Sequence, residues 1–226
     1  MKGKETIKEQ VYNAIMQDIL SYEFRPNEIL NEKKLVEKYG FSKTPIREAL
    51  LSLCDENVLR SMPRYGYEVL RLTMEDVQEM LQFRYVLESG LLAANFMRFS
   101  PAQIERLEEL NELCNRPDEE DIWSHWANNT EFHLKMMTYC SNNYAVVELE
   151  RCMDRMKRAY AQYYWDNPEA NRLYVDTRNH EYIIRSLRDK DVAGLLVALR
   201  DDLSDFGGTR HEIKIDIGPI IGVGRE

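Results

Sequence analysis

The chain has 226 residues, a formal net charge of −9 at pH 7, 31% charged residues and 44% hydrophobic residues. These proportions are typical of a globular protein with real cores, and they exclude a low-complexity chain. No apolar run approaches the roughly 20 residues of a membrane helix, and no apolar secretion signal follows the N-terminus, so we expect a cytoplasmic protein without a membrane partner. Four widely separated cysteines predict reduced thiols rather than disulfides or a zinc knuckle: Cys54, Cys114, Cys140 and Cys152.

The charges are unevenly distributed along the chain. Residues 1–71 carry 12 Lys and Arg against 11 Asp and Glu, whereas the remaining 155 residues carry 18 against 28. A nearly neutral module followed by an acidic one is expected where the first contacts DNA and the second stays clear of it. A solvated acidic surface gives the same contrast, so charge alone does not decide between the two.

The N-terminal third predicts three helices and a hairpin. Apolar residues spaced by three and four over 7–19 indicate an amphipathic helix. Asn31 and Ser42 are placed to cap a second and a third helix. Two short apolar runs on either side of "PRYG", residues 63–66, indicate the strands of a hairpin. This order of elements over residues 1–72 predicts a winged helix-turn-helix.

From residue 73 onward the pattern is helical. Apolar spacing and capping signals predict about six helices in 73–207, so the fold class is mainly α: a winged helix-turn-helix followed by an all-helical bundle. We expect the last helix to begin after Asp191 and to end at the glycine pair 207–208. The C-terminal tail, 208–226, alternates like a strand but has no evident pairing partner.

The third helix carries the residue types that a DNA-reading helix needs at its N-terminal end. Lys43 and Arg47 share one face, and the hydroxyls of Ser42 and Thr44 lie beside the helix N-terminus, where phosphate binds. Arg47 suits a bidentate guanine contact, and Lys43 a point-charge contact.

The hairpin tip adds three candidates for DNA contact: Arg64, Tyr65 and Gly66. Gly66 would let the backbone approach the minor groove closely. Each of these residue types is also common on an ordinary solvated surface. Their combination on this frame predicts double-stranded DNA as the partner.

Residues 29–70, with "SKTPIREAL" at 42–50, resemble the N-terminal domain of GntR-family transcriptional regulators. The family signature is Ser-Arg-Thr-Pro-x-Arg-Glu-Ala-Leu, and here a lysine replaces the first arginine, which keeps the charge but weakens planar base recognition. The resemblance implies DNA-contacting positions at Lys33, Lys43, Thr44, Arg47 and Gly66.

The acidic half contains a second candidate site. Asn129 and His133 are four residues apart on one helix face, while His180 and Asp202 belong to the last two helices. Bundles hold metals with three or four such donors from facing helices, and this mixture suits zinc, nickel, manganese or iron better than calcium. A histidine on a helix is more often a core or surface residue, so spacing alone is a weak indication.

Three segments of this half resemble the all-helical FCD effector domain of the FadR subfamily: "LQFRYVLESGLLAA", "NNTEFHLKMMTYCSNN" and "HEYIIRSLRDKDVAGLLVALRDDL". The resemblance implies a metal site at Asn129, His133, His180 and Asp202. The first of these replaces an aspartate of the family and the last replaces a histidine. The exchange of imidazole for carboxylate lowers the affinity for softer metals.

The same resemblance assigns Arg84, in "FRYVLES", to the carboxylate of a small organic acid held beside the metal. The alternative for Arg84 is an ion pair with Glu88, four residues further on. Asp176 lies four residues before His180 and is a candidate partner of that histidine; the alternative is a surface charge.

These features predict a transcriptional regulator, most often a repressor in this family, rather than an enzyme. An organic acid bound in the helical domain would shift the placement of two DNA-binding domains in a homodimer, and a twofold dimer predicts a palindromic operator. Two alternatives are a metal-free acyl-CoA sensor and a metallohydrolase. The first has no use for paired imidazoles, and the second needs a general base that no fixed spacing beside the ligands supplies.

Overall fold

The structure, a computed structural model, describes residues 5–115, 122–167, 177–206 and 209–213. The chain forms two compact units. The described residues up to Thr73, together with Ala161–Asn167, make up the first, and the other described residues make up the second. Asp176 and most of the tail predicted at 208–226 lie outside the described residues.

The first unit contains three helices: α1 (Ile7–Leu20), α2 (Glu32–Tyr39) and α3 (Lys43–Asp55). Thr6 and Glu9 form a capping box before α1, in which each side chain accepts the other residue's backbone N–H. Asn31 caps α2 as predicted, and Gly40 ends it with a left-handed φ of 73°. Local capping signals therefore set the ends of these helices.

A small antiparallel sheet completes the first unit, with three strands: β1 (Ile29–Leu30), β2 (Leu59–Met62) and β3 (Gly66–Val69). Strand β3 lies in the middle and pairs Tyr67 with Leu30 of β1 and Val69 with Leu59 of β2. All three helices and the sheet contribute to one core that includes Val11, Ile15, Leu35, Ile46, Leu50, Leu53 and Val69. This is the predicted winged helix-turn-helix, and residues 59–69 are its wing.

The described part of the second unit is mainly helical, with a short 3₁₀ turn after its first helix, and the fourth of these helices ends in the first unit: α4 (Met74–Asn95), α5 (Pro101–Cys114), α6 (Ile122–Thr138), α7 (Asn143–Asp166), α8 (Arg178–Asp189) and α9 (Val192–Leu203). Ser100 and Gln103 form a capping box before α5, and Asp191 caps α9 by accepting from Gly194 N–H at 3.0 Å. None of the helices in the described ranges is long and apolar enough to cross a membrane.

The six helices enclose a single core. Helix α8 packs against α5 and α9, α4 packs against α9 and α6, and α5 packs against α6. The buried apolar residues come from all six, among them Leu92, Leu107, Phe132, Leu149, Ile183 and Leu199. Polar side chains on the inner faces of α4, α6, α8 and α9 are consequently brought together.

The last helix is shorter than predicted. It ends at Leu203 rather than at 207–208, and two short strands follow, β4 (Asp205–Phe206) and β5 (Thr209–Arg210). Phe206 is buried and its ring makes a T-shaped contact with the ring of Tyr160, which favours the strand over another helical turn. Residues 209–210, whose strand pattern had no evident partner, pair with this segment.

The end of α7 packs within the first unit, whereas the sequence places it in the second domain. Gln162 accepts from Leu72 N–H at 2.9 Å, and the indole N–H of Trp165 donates to the Leu20 carbonyl at 3.0 Å. The guanidinium of Arg71 lies 2.9 Å from an oxygen of Asp166. These polar contacts join residues 161–167 to the winged helix-turn-helix.

Candidate nucleic-acid interface and metal centre

The N-terminal end of α3 forms the first candidate site. Ser42 precedes the helix in an extended conformation, and its hydroxyl makes no capping hydrogen bond, so that hydroxyl is available to a phosphate. The side chains of Lys43, Thr44 and Arg47 are exposed, while Ile46 is fully buried on the opposite face. Burial of the apolar face therefore turns the cationic face toward solvent.

The two lysines predicted to contact DNA form surface ion pairs. Nζ of Lys43 lies 3.4 Å from a Glu32 oxygen, and Nζ of Lys33 lies 3.9 Å from a Glu37 oxygen. Exposed pairs of this kind contribute little to stability, so either lysine can exchange its carboxylate for a phosphate at small cost. Within the part of the chain that the structure describes, Arg47 makes no ion pair and no hydrogen bond.

The wing turns sharply at its tip. The N–H of Tyr65 donates to the Met62 carbonyl at 3.0 Å across the turn, and Arg64 has a left-handed φ of 72°. This conformation costs a residue other than glycine about 1 kcal/mol. Arg64 is exposed and Tyr65 is 70% exposed, so the tip presents a cation and an aromatic ring to solvent.

Gly66 is required by the sheet itself. Its φ is 135°, and a Cβ built on it would lie 2.2 Å from the Leu30 carbonyl oxygen. Only glycine lets β1 approach β3 this closely. Close approach to the minor groove is therefore not needed to explain this glycine.

A groove of about 620 Å³ lies between α2, the start of α3 and the wing. Five of the eight residues predicted to contact DNA line it: Lys33, Lys43, Arg64, Tyr65 and Gly66. The other three do not line it but lie on the first turns of α3 or just before them. The described residues thus form one continuous exposed surface that carries cations, hydroxyls and an aromatic ring.

The second candidate site is buried inside the second unit. His133 of α6, His180 of α8 and Asp202 of α9 each place one donor atom within 4.8 Å of the others. Both histidines are fully buried, and Asp202 is 7% exposed. Three of the four residues predicted to bind a metal therefore converge.

The atoms that could bind a metal in this cluster lack hydrogen-bond partners among the described residues. Nε2 of His133 lies 3.1 Å from one oxygen of Asp202, and Nε2 of His180 lies 3.5 Å from the other. Neither contact has hydrogen-bond alignment. Among the described residues, His133 Nε2, both ring nitrogens of His180 and Asp202 Oδ1 have no hydrogen-bond partner. A buried polar atom left in this state costs about 1–3 kcal/mol, so such a cluster is expected where a ligand supplies the missing interaction.

The two histidines differ in their proton affinity. Burial lowers the pKa of His180 to about 3, because desolvation outweighs the attraction of Asp202. Burial also opposes the charged form of His133, but the Glu88 carboxylate outweighs it and raises the pKa of His133 above its ordinary value. His180 therefore stays neutral, with the ring of Phe132 stacked on it at a centroid distance of 3.8 Å.

Glu88 contacts the cluster from helix α4. Its Oε2 lies 2.7 Å from His133 Nδ1, and its Oε1 accepts from Arg84 Nε at 2.8 Å. Burial would raise the pKa of Glu88, but the charges of Arg84 and His133 hold that pKa at about 2. The carboxylate is thus ionised, and each of its oxygens has a cationic or N–H partner.

The structure shows for Arg84 the ion pair that was the alternative to an organic-acid contact. Arg84 forms this ion pair with Glu88, and its Nη2 is buried without a hydrogen-bond partner among the described residues. Asn129 is buried one turn before His133 on α6. Sequence reasoning did not identify Glu88 as a partner of His133. Only its four-residue spacing from Arg84 offered a signal.

The residues present fit a divalent transition metal. Two imidazoles and a carboxylate are the donors that such ions prefer, and a histidine whose other nitrogen bonds a carboxylate is a common metal ligand. The buried atoms without hydrogen-bond partners are the ones that would coordinate the ion. Asn129, the fourth residue predicted to bind the metal, is buried four positions before His133 on α6.

The fold and the exposed basic surface define a DNA-binding transcriptional regulator with a helical second domain. The description "Bacterial regulatory proteins, gntR family" matches residues 7–69, and "FCD domain" matches residues 79–205, more than half of the chain. The chain belongs to the GntR family of regulators that carry an FCD domain. The family and its relatives are transcriptional regulators, not enzymes.

Similar proteins agree with this assignment. The Escherichia coli regulator McbR is 27% identical over 187 residues, which cover 82% of this chain and 84% of that protein. The Escherichia coli repressor RspR is 21% identical over 214 residues, 93% and 91% of the two chains. The Bacillus subtilis regulator YdhC is 37% identical over 79 residues, or 35% of each chain. The structure of Escherichia coli McbR/YncC has the same fold, with a TM-score of 0.64, 23% identity and coverage of 88% and 93%.

Proposed function

We propose that this regulator responds to a small organic acid held by a divalent transition metal inside the FCD domain. The observation that carries the proposal is the buried cluster of His133, His180 and Asp202, whose donor atoms converge without hydrogen-bond partners. Zinc, nickel, manganese and iron all suit this donor set.

Each side chain of the cluster has a role in the proposal. The two histidines, Asp202 and Asn129 would hold the metal. When bound, the metal supplies a positive charge that attracts a carboxylate. The buried Nη2 of Arg84 offers a further donor for the same carboxylate, since its neighbour Nε is already occupied by Glu88.

DNA reading is assigned to the first unit. Arg47 would contact a base edge in the major groove, and Ser42, Lys43 and Thr44 the adjacent phosphates. Lys33 and the wing residues Arg64 and Tyr65 would contact the backbone or the minor groove on either side. Their exposure on helices and strands that pack around one core supports this assignment.

We propose further that the protein acts as a homodimer on a palindromic operator and as a repressor. A twofold dimer of a helix-turn-helix protein requires a twofold operator. Among the relatives, RspR and the Bacillus licheniformis gluconate operon regulator are named repressors.

The test is DNA binding measured by fluorescence anisotropy on an operator selected from a random DNA library. We expect a carboxylic acid from a panel of small organic acids to change the operator affinity of the zinc-loaded protein by about 5-fold or more, a usual size for coupling between sites. The His180→Ala variant should lose this response. The His125→Ala variant, which removes a histidine outside the cluster on α6, should keep it. An equal response in wild type and His180→Ala would overturn the proposal.

A further inference from the structure

The contact between Glu88 and His133 joins two helices at the edge of the buried cluster. The two residues are 45 positions apart in sequence, both are fully buried, and the distance from Oε2 to Nδ1 is 2.7 Å. Arg84 Nε donates to the other oxygen of this carboxylate at 2.8 Å, so Glu88 lies between a guanidinium and the imidazole. The contact with Glu88 occupies His133 Nδ1 and leaves Nε2 as the ring nitrogen that faces the cluster.

We infer that Glu88 is a positioning residue that prepares His133 to bind a metal through Nε2. An imidazole that binds a metal is neutral, and when its one proton is donated from Nδ1 to Glu88 the lone pair lies on Nε2, the atom that faces Asp202. The carboxylate fixes the ring orientation and makes the imidazole a better electron donor. This inference rests on the proposed metal site and adds a residue that does not itself touch the metal.

Arg84 holds the Glu88 carboxylate in place from the side away from His133. Its Nε donates to Oε1 at 2.8 Å while Oε2 accepts from His133, so both oxygens of the carboxylate are held in place. A carboxylate bound at only one oxygen could rotate away from the imidazole. Two consecutive hydrogen bonds, from Arg84 to Glu88 and from His133 to Glu88, therefore connect α4 to the metal-binding imidazole on α6.

The burial of these charges supports a function beyond helix stability. A buried ion pair costs much of its attraction in desolvation, and apolar residues of similar size often serve stability as well or better. At positions 84 and 88 the paired side chains are 4% and 0% exposed. A pair that served only to stabilise α4 would not need the second carboxylate oxygen to bond a histidine of the cluster.

The experiment compares the metal affinities of wild type and Glu88→Gln, measured by competition with a chromophoric chelator, using Zn²⁺ and Co²⁺ as probes. Glutamine keeps the size and one acceptor but removes the negative charge. We expect the affinity to fall about 10- to 100-fold, the usual effect of losing such a carboxylate. The visible absorption of bound Co²⁺ should shift, because the donor strength of His133 changes. Ser89→Ala, which removes a buried hydroxyl next to Glu88 on the same helix, is the matched control and should leave both readouts unchanged.

A second variant covers the case in which Glu88→Gln does not fold, since that change leaves the Arg84 charge buried. The double variant Arg84→Met with Glu88→Gln removes both charges together, which cores tolerate better. Glu88→Asp should recover part of the affinity if the charge is what matters. If the folded variants that lack the Glu88 carboxylate have the same metal affinity and the same Co²⁺ spectrum as Ser89→Ala, this inference is overturned. The proposed metal site would still stand. Failure of the wild type itself to bind either metal would overturn the proposed function.

Discussion

The side chains assigned to DNA in the first unit are exposed and weakly paired, whereas those assigned to the metal in the second unit are buried and contact one another. Arg47 projects from a helix whose other face is packed, and its neighbour Lys43 makes only an exposed ion pair. His133, by contrast, contacts Glu88 and Asp202 in the interior. In the first unit the scaffold can be separated from the functional residues, and in the second the functional residues are part of the core.

This contrast predicts that a substitution in the backbone scaffold of the wing reduces stability, whereas a substitution of an exposed DNA-contacting residue does not. Gly66→Ala would bring a methyl group against the Leu30 carbonyl and impose an unfavourable φ, so we expect a loss of about 3 kcal/mol in the free energy of unfolding of the first unit. Urea denaturation followed by Trp165 fluorescence, in the same unit, measures it.

Gly40→Ala is the matched control for this substitution. Gly40 also has a positive φ, but nothing lies within 4 Å of a Cβ built on it. Its replacement should cost only about 1 kcal/mol. Equal costs at both positions would mean that the close approach of β1 and β3 does not determine the need for glycine at 66.

Substitutions on the exposed DNA-contacting surface should instead weaken operator binding without lowering the free energy of unfolding. Arg47→Ala is expected to weaken operator binding about 10- to 100-fold, the effect of removing one bidentate base contact. Arg25→Ala, an exposed arginine outside the predicted interface, should change affinity little. Anisotropy titrations at one fixed salt concentration give the comparison. Unchanged operator affinity in folded Arg47→Ala protein would refute the assignment of α3 as the reading helix.

The smallest effect is expected at the wing tip, where function and local strain coincide. Arg64→Gly relieves the left-handed conformation and should raise the free energy of unfolding by up to about 1 kcal/mol. It should also reduce the slope of log affinity against log salt by about 0.9, the value for one lost phosphate contact. A variant with the wild-type salt slope would show that Arg64 does not contact DNA.

The sequence predicted the first unit more completely than the second, for a physical reason. The signature "SKTPIREAL" is contiguous, and capping residues such as Asn31 act on their immediate neighbours, so short segments contain the information. The relation between Glu88 and His133 spans 45 residues and depends on how α4 packs near α6, which spacing cannot supply. The reason for Gly66 was hidden in the same way, because the atom that excludes a side chain belongs to Leu30.

At the end of α9, a local sequence signal predicted the wrong boundary. A glycine pair at 207–208 is a reasonable helix terminator, yet the helix ends at Leu203. Burial of Phe206 and the pairing of Asp205 with Arg210 decide the outcome, and both are tertiary effects.

The most direct test of the central claim is the metal content of tag-free protein purified without chelator, measured by inductively coupled plasma mass spectrometry. We predict about one transition metal per chain in the wild type and in His125→Ala, and almost none in His180→Ala, because a site of this donor number does not survive the loss of an imidazole. Wild-type protein that holds no metal after incubation with zinc, nickel or manganese would contradict the account.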